Sequence, residues 1–355
     1  MGNLFNKASV FTDIHFGKKS DSTVHNKDCL DFIEWFCSKT LEEQADTVIF
    51  MGDWHDNRSR LRSDTLWYST QALSKLMSLN LPVFFIIGNH DIFLKNSRDI
   101  HSFPFFKHLY GDNNIILVDE LQEAGDVLLC PWLVGDEFII PPDTKVKYIF
   151  GHFELPLFLA NEMYEMPDRG GLHMNHFHKA DWLFSGHFHK RQTKINEHGI
   201  PITYIGNAFP HDFNDVGDTE RGMMTLEWGK EPIYHNWPSA PKYIRTKTTV
   251  LFNQIEEFGL PPNFDKNTVV ECWDDTDLST TDSLEITEAM QEQVRDFRLR
   301  FPRRINESVT DTDMDDEGKN ADQMIVEFLH HLDTEGSKFN PEILVELYKN
   351  ASPKK

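Results

Sequence analysis

Five short motifs rich in metal-binding side chains occur in order along the chain: Asp13-Ile14-His15, Gly52-Asp53, Gly88-Asn89-His90-Asp91, Gly151-His152 and Gly186-His187-Phe188-His189. Each follows an apolar run. Asp13 and His15 are two residues apart, as are His187 and His189, so in extended backbone each pair points to one side and can converge on a shared centre. The glycines that precede these residues allow sharp turns that bring the side chains close. Carboxylate and amide oxygens mixed with imidazole nitrogens suit Mn, Fe or Zn, whereas an all-oxygen set would suit Ca or Mg. A single bridging carboxylate suggests two ions about 3.5–4 Å apart, a pair that polarises phosphoryl oxygens and activates water at neutral pH. A lone histidine after a strand is more often structural than a ligand. Five such motifs in order reverse that reading.

The elements that must position these residues can be read from apolar periodicity. Runs at 9–12, 47–51 and 83–87 read as buried strands, and 28–41 and 63–79, with apolar residues three and four apart, read as helices between them. The chemistry then sits at the C-terminal ends of strands. Further strands are expected at 115–118, 127–130, 147–150, 182–185 and 223–228, with a hairpin around Glu197-His198-Gly199. This alternation specifies an α/β fold class, layered as α+β. Three parts are expected: a catalytic domain over 1–240, a small mixed α/β accessory module over 241–283 after the linker Ser239-Ala240-Pro241, and a helical partner-docking segment over 284–355. Within that segment helices are expected at 284–301 and 321–332, with an acidic linker at 311–317.

Charge opposes the approach of phosphates at first sight, since 57 acidic and 35 basic residues give a net −22. Residues 265–355 hold 22 acids against 11 bases, however, so half of the excess lies far from the motifs. Bound divalent ions would also invert the field at the site itself. Cys29, Cys37, Cys130 and Cys272 lack metal-type or redox-type spacing and read as core thiols of a reducing compartment. No run reaches membrane-spanning length and the first residues lack signal-peptide character, so a cytoplasmic protein is expected.

With these residues the chain resembles the calcineurin-like metallophosphoesterase superfamily, whose pattern D-x-H, G-D, G-N-H-D/E, G-H and G-H-x-H it carries throughout. The resemblance implies a β-sandwich flanked by helices. It implies that Asp13, His15, Asp53 and His189 hold one metal ion and that Asp53, Asn89, His152 and His187 hold the other, with His90 catalytic but not a ligand. Within the superfamily the chain is most similar to the SbcD and Mre-type DNA repair nucleases, and among these to the recombination nuclease subunits of T4-like phages. Asp53-Trp54-His55-Asp56-Asn57-Arg58 is similar to their G-D-x-F-D-N-R element and departs from the G-D-x-V-D-R-G of protein Ser/Thr phosphatases. Pro131-Trp132, Gly151-His152-Phe153-Glu154-Leu155 and Tyr204-Ile205-Gly206-Asn207 extend the likeness. Many Mre-type enzymes carry a histidine three residues after the bridging Asp; here His55 follows Asp53 by two and receives no catalytic role.

The resemblance implies a metal-dependent DNA exonuclease and endonuclease that hydrolyses phosphodiesters in line, with His90 assisting the phosphate or leaving oxygen. Mn2+ is the expected ion, with Mg2+, Fe2+ or Zn2+ as alternatives. The implied partners are DNA, an SMC-like coiled-coil ATPase of the SbcC type and a second copy in a homodimer, without a membrane, in the cytoplasm of a host if the chain is phage-encoded. Arg58, Arg60, Lys190 and Arg191 directly follow metal motifs and are candidate contacts to a phosphate backbone. Arg295, Arg298, Arg300, Arg303 and Arg304, interleaved with Phe297, Leu299 and Phe301 around an expected helix end, could bind DNA or a partner, and the partner is preferred. His173, His176 and His178 are expected in an exposed loop. The alternatives are a phosphoesterase acting on nucleotides or phosphoproteins and a metal-free scaffold of the same fold.

Overall fold

In the segment Thr47–Met51, Val48 and Phe50 pack to one side while Ile49 and Met51 pack to the other, and all four are buried. A strand that is apolar on both faces needs cover on both. The computed structural model, which describes residues 2–103, 114–135, 137, 145–161, 164–301, 343 and 345, supplies that cover with helices on one face and a second sheet on the other. The first sheet has the order Ile233–Asn236, Gly222–Glu227, Lys7–Phe11, Thr47–Met51, Val83–Ile86, Ile115–Val118. Its last four strands are parallel, and the first two join antiparallel. Helices Thr23–Glu42 and Ser63–Ser78 bring Phe32, Phe36, Leu73 and Leu76 against Phe11, Phe50 and Phe85. The first of these helices starts earlier than its apolar spacing suggests, because the Ser22 side chain accepts the His25 backbone N–H and caps it there.

The second sheet has the order Gln192–Ile195, Pro201–Tyr204, Trp182–Gly186, Tyr148–His152, Val127–Cys130, Gln122–Ala124. Its four inner strands are parallel and its two edge strands antiparallel. Val127, Leu129, Phe150 and Phe184 of this sheet share a core with Val10, Ile49, Met51, Phe84 and Ile86 of the first. The result is the expected β-sandwich with flanking helices, and its central strands end near one another.

A third sheet, Lys242–Lys247, Thr268–Trp273 and Asp296–Arg300, is wholly parallel and has its own core, with Leu251 of helix Thr248–Phe258 and Met290 of helix Thr280–Gln291 packed on Val270, Cys272 and Phe297. The single helix expected over 284–301 is therefore corrected: it ends at Gln291, and Asp296–Arg300 is a strand. The physical reason is a period of two. Phe297 is buried and Leu299 half-buried, while Arg298 and Arg300 between them are exposed. Those arginines are paired within the fold, Arg295 with Asp28 at 2.7 Å, Arg298 with Asp296 at 2.7 Å and Arg300 with Glu271 at 3.2 Å. The expected division at residue 283 falls inside the helix Thr280–Gln291.

Met1–Pro302 form one compact unit and Arg303–Lys355 a second. Arg303, Arg304, the expected acidic linker and the expected helix at 321–332 lie outside the described residues. Among the described residues no helix is long and apolar enough to cross a membrane. All four cysteines are free thiols, and three of them are buried.

Phe50 is fully buried, with ring centroids 4.9 Å from Phe11 and 4.5 Å from Phe85. Phe50→Ala is expected to lower unfolding stability by about 3–5 kcal/mol. Exposed Trp67→Ala should change it by less than about 0.5 kcal/mol. Urea titration of both variants checks this, and equal losses would contradict the packing described.

Candidate metal centre

Beyond Phe11 the chain leaves the first sheet while staying beside the segment that follows Met51: the Asp13 N–H donates to the Gly52 carbonyl at 2.9 Å, His15 N–H to Asp53 at 3.1 Å and Phe16 N–H to Trp54 at 2.7 Å. Asp13 (φ 50°), His15 (φ 55°), Asp53 (φ 63°) and His187 (φ 88°) all adopt left-handed backbone. Such conformations cost about 1–3 kcal/mol each for residues other than glycine, and they cluster where function requires a particular side-chain direction. Two glycines permit the close approach. A Cβ on Gly52 (φ 97°) would lie 2.5 Å from His152 Nδ1, and one on Gly88 would lie 2.3 Å from Asp53 Oδ1.

All seven side chains expected as ligands meet here. Asp13 and Asp53 are buried, and His15 Nε2 stands 3.8 Å from Asp13 Oδ1 and 3.7 Å from Asp53 Oδ2. His189 Nε2 is 3.9 Å from Asp13 Oδ1. On the other side of Asp53, His152 Nε2 lies 3.3 Å from Asp53 Oδ2 and 3.0 Å from Asn89 Oδ1, and His187 Nδ1 lies 2.8 Å from the same Asn89 oxygen. Donor atoms at right angles around one ion, each about 2.1 Å from it, are about 3 Å apart. Asn89 Oδ1 has that spacing to both His152 Nε2 and His187 Nδ1. His152 Nδ1 donates to the Met51 carbonyl at 2.7 Å, which leaves the Nε2 lone pair as the one that could face an ion. Both nitrogens of His15 are buried; Nδ1 has only Asp56 Oδ1 at 3.4 Å, off hydrogen-bond geometry, and Nε2 has no hydrogen-bond partner. Unmatched buried imidazole nitrogens beside two carboxylates fit a metal ion. The groups Asp13–His15–Asp53 and Asp53–His152–His187 are each close enough to hold one.

His90 is half-buried, its N–H donates to Asp53 Oδ1 at 2.8 Å, and its Nδ1 donates to the Asp56 carbonyl at 2.7 Å. That bond places the proton on Nδ1 and leaves Nε2 for another partner. Burial pulls the His90 imidazole below its ordinary pKa, against the pull of Asp53.

Several residues here carry no role in the sequence motifs. The Asp91 carboxylate accepts backbone N–H groups from Gly88 (2.9 Å), Asp53 (2.8 Å), Trp54 (2.9 Å) and His55 (3.2 Å), and so staples the two motif loops together. Burial, reinforced by the Asp53 charge, pushes its carboxyl up to about 7. Asp56 Oδ1 lies 3.4 Å from His15 Nδ1, and Glu154 Oε2 3.2 Å from His187 Nε2. Asp56, Asp91 and Glu154 are visible in the motif strings, but their partners come from other strands. His211, fully buried beside His15 and His189, belongs to no motif. His55 is buried between Ser69 and Ser102. His176 and His178 are exposed and His173 half-buried.

Of the basic candidates, Arg60 is exposed, Arg58 and Lys190 are half-buried, and Arg191 is committed to the Ile205 carbonyl (3.1 Å), Asn236 Oδ1 (3.4 Å) and the face of Tyr234 (4.2 Å).

Burial lowers the pKa of His15, but Asp13 and Asp56 outweigh it and raise the imidazole to about 9; in His152 Asp53 does the same, also to about 9. Without metal both are therefore protonated at pH 7. Because these values lie above the ordinary one, the protonated pair stabilises the metal-free fold fully below about pH 6.5, and that stabilisation fades as pH rises through 9. Ions must displace these protons. Adding two equivalents of Mn2+ in weak buffer at pH 7 is expected to release about two protons, and affinity should rise from pH 7 to 9. Titration calorimetry in buffers of different ionisation enthalpy reads both; binding without proton release would contradict the assignment.

A profile of the calcineurin-like phosphoesterase family matches residues 8–191. The DNA double-strand break repair protein Mre11 of Methanosarcina mazei is 26% identical over 235 residues, covering 60% of this chain and 35% of that protein. The protein of the same name from Archaeoglobus fulgidus is 23% identical over 355 residues, covering 85% of this chain and 75% of its own length. Exonuclease subunit 1 of Enterobacteria phage T4 is 23% identical over 223 residues, covering 61% of this chain and 62% of that one. The chain thus spans about a third of the length of the Methanosarcina relatives it matches.

Proposed function

We propose, on the footing that the chain belongs to the calcineurin-like phosphoesterase family, that it hydrolyses DNA phosphodiester bonds at a two-metal centre as the nuclease subunit of a recombination and repair complex. The observation that carries the two-metal reading is the position of Asp53, whose carboxylate lies between His15 on one side and His152 on the other, at 3.7 and 3.3 Å. In this reading Asp13, His15, Asp53 and His189 hold one ion, and Asp53, Asn89, His152 and His187 hold the second. Mn2+ suits the mixture of imidazole, carboxylate and amide donors. Such a pair, when bound, supplies charge neutralisation at the phosphate and activation of water. His90 is kept for the substrate: its Nδ1 proton is fixed on the Asp56 carbonyl, so Nε2 is the atom that exchanges a proton with the phosphate or the leaving oxygen.

DNA as substrate is supported by the likeness to proteins named for double-strand break repair and to an exonuclease subunit. Arg58, Arg60 and Lys190 are proposed to meet the phosphate backbone, whereas Arg191 is held by Ile205, Asn236 and Tyr234. A homodimer working with an SMC-like ATPase is proposed on the sequence resemblance. Of the docking segment expected over 284–355, the residues up to Arg300 complete the third sheet, which leaves the residues beyond it for docking. The net charge of −22 favours a second reading, hydrolysis of small nucleotides or phosphoproteins, which repel an acidic surface less than duplex DNA does.

His90→Asn is expected to keep two ions per chain and to lose Mn2+-dependent cleavage of linear duplex DNA by about 100-fold or more. Metal analysis and a nuclease assay on the same preparation check this. Loss of an ion equivalent would make His90 a ligand, and a wild-type protein that cleaves nucleotide monoesters or phosphopeptides but not DNA would favour the second reading.

A further inference from the structure

His211 lies beyond all five motifs, in the segment that follows strand Pro201–Tyr204. It is fully buried, and neither ring nitrogen has a hydrogen-bond partner. Leaving a buried polar group unmatched costs about 1–3 kcal/mol, so an imidazole with both nitrogens bare points to something that binds it. The ring stands edge-on to His15 (centroids 5.4 Å apart, 87°) and to His189 (5.3 Å, 82°). One ring nitrogen from each of these three histidines lies within 4.8 Å of the other two. Three nitrogens bound to one ion at about 2.0–2.1 Å lie about 3–4.2 Å from one another, so closing on an ion needs a shift of up to about an ångström per nitrogen.

The surroundings hold the ring in this direction. Phe209 and His25 pack against it at 5.0 and 5.2 Å, and the His211 N–H donates to Asp215 Oδ2 at 2.7 Å. His25 Nε2 in turn donates to the His15 carbonyl at 3.0 Å. The Asn207 N–H donates to the His189 carbonyl at 3.0 Å, which anchors the His211 segment to the strand end that carries His189.

We propose that His211 is a further ligand of the ion assigned to Asp13, His15, Asp53 and His189; this rests on the two-metal reading above. The two sites then differ in kind. The first has three imidazoles and two carboxylates, and the second has two imidazoles, one carboxylate and one amide oxygen. Imidazole-rich sets suit Fe2+ and Zn2+ better than Mg2+, so His211 biases the first site toward nitrogen-preferring ions.

Crystals of the full-length chain grown with Mn2+, with the ions located by anomalous scattering, test the geometry. A ring nitrogen of His211 is expected within about 2.4 Å of one of two ion peaks. Two peaks that both lie more than about 3 Å from His211 would overturn this inference and leave the two-metal reading standing, whereas the absence of any peak at Asp53 would overturn both. Calorimetric titration of His211→Gln with Mn2+ gives a second readout: one of the two dissociation constants should rise tenfold or more while the other changes less than twofold. Two unchanged constants would overturn the proposal, and if this variant does not fold, the wild-type crystals decide alone.

Discussion

Two carboxylates, Asp13 and Asp53, are buried side by side beyond the ends of neighbouring parallel strands, and their repulsion is the constraint that the rest of the site answers. Buried like charges are sustained only by opposite charge or by directed hydrogen bonds. His15 and His152, both raised to about 9, provide that charge in the metal-free protein. The Asp13 carboxylate accepts the Thr12 hydroxyl at 2.6 Å and the His187 N–H at 3.0 Å, and Asp53 accepts the His90 N–H at 2.8 Å. A pair of divalent cations would answer the same constraint more completely, and the histidines would then serve as neutral ligands.

The donors around Asp53 come from both layers, and each side of Asp53 draws on the two together, which is why the sandwich core matters to the chemistry. Asp13, His15, Asp53 and Asn89 follow strands of the first sheet, whereas His152, His187 and His189 belong to strand ends of the second. The bond from His152 Nδ1 to the Met51 carbonyl and the bond from His187 N–H to Asp13 cross from one layer to the other. Between the layers, close-packed side chains such as Met51, Phe150 and Phe184 set the separation. A change in that core would therefore alter the spacing of the donors before it altered their identity.

Much of this was legible in the sequence because parallel strands buried on both faces read as unbroken apolar runs, and the metal-type residues stand directly after them. The strands at 115–118 and 127–130 have the expected bounds, and the hairpin around Glu197-His198-Gly199 joins Gln192–Ile195 to Pro201–Tyr204. What was not legible depends on contacts across long sequence separations. Asp91 is the last residue of a motif, yet its role as a staple for Asp53, Trp54 and His55 exists only once the loops meet. His211 is an ordinary histidine in the sequence and a buried neighbour of His15 and His189 in the fold. At 296–300 the alternation of arginine with Phe297 and Leu299 carried the strand signal, but the helical spacing before it drew the expected helix too far.

In the proposed site one carboxylate, that of Asp53, serves two ions. Comparing the metal content of Asp53→Ala and His15→Ala by elemental analysis after loading with Mn2+ tests it most directly, because a shared ligand and a terminal ligand differ in stoichiometry and not only in activity. Asp53→Ala is expected to lose both equivalents and His15→Ala one. Loss of the same single equivalent in both variants would contradict it.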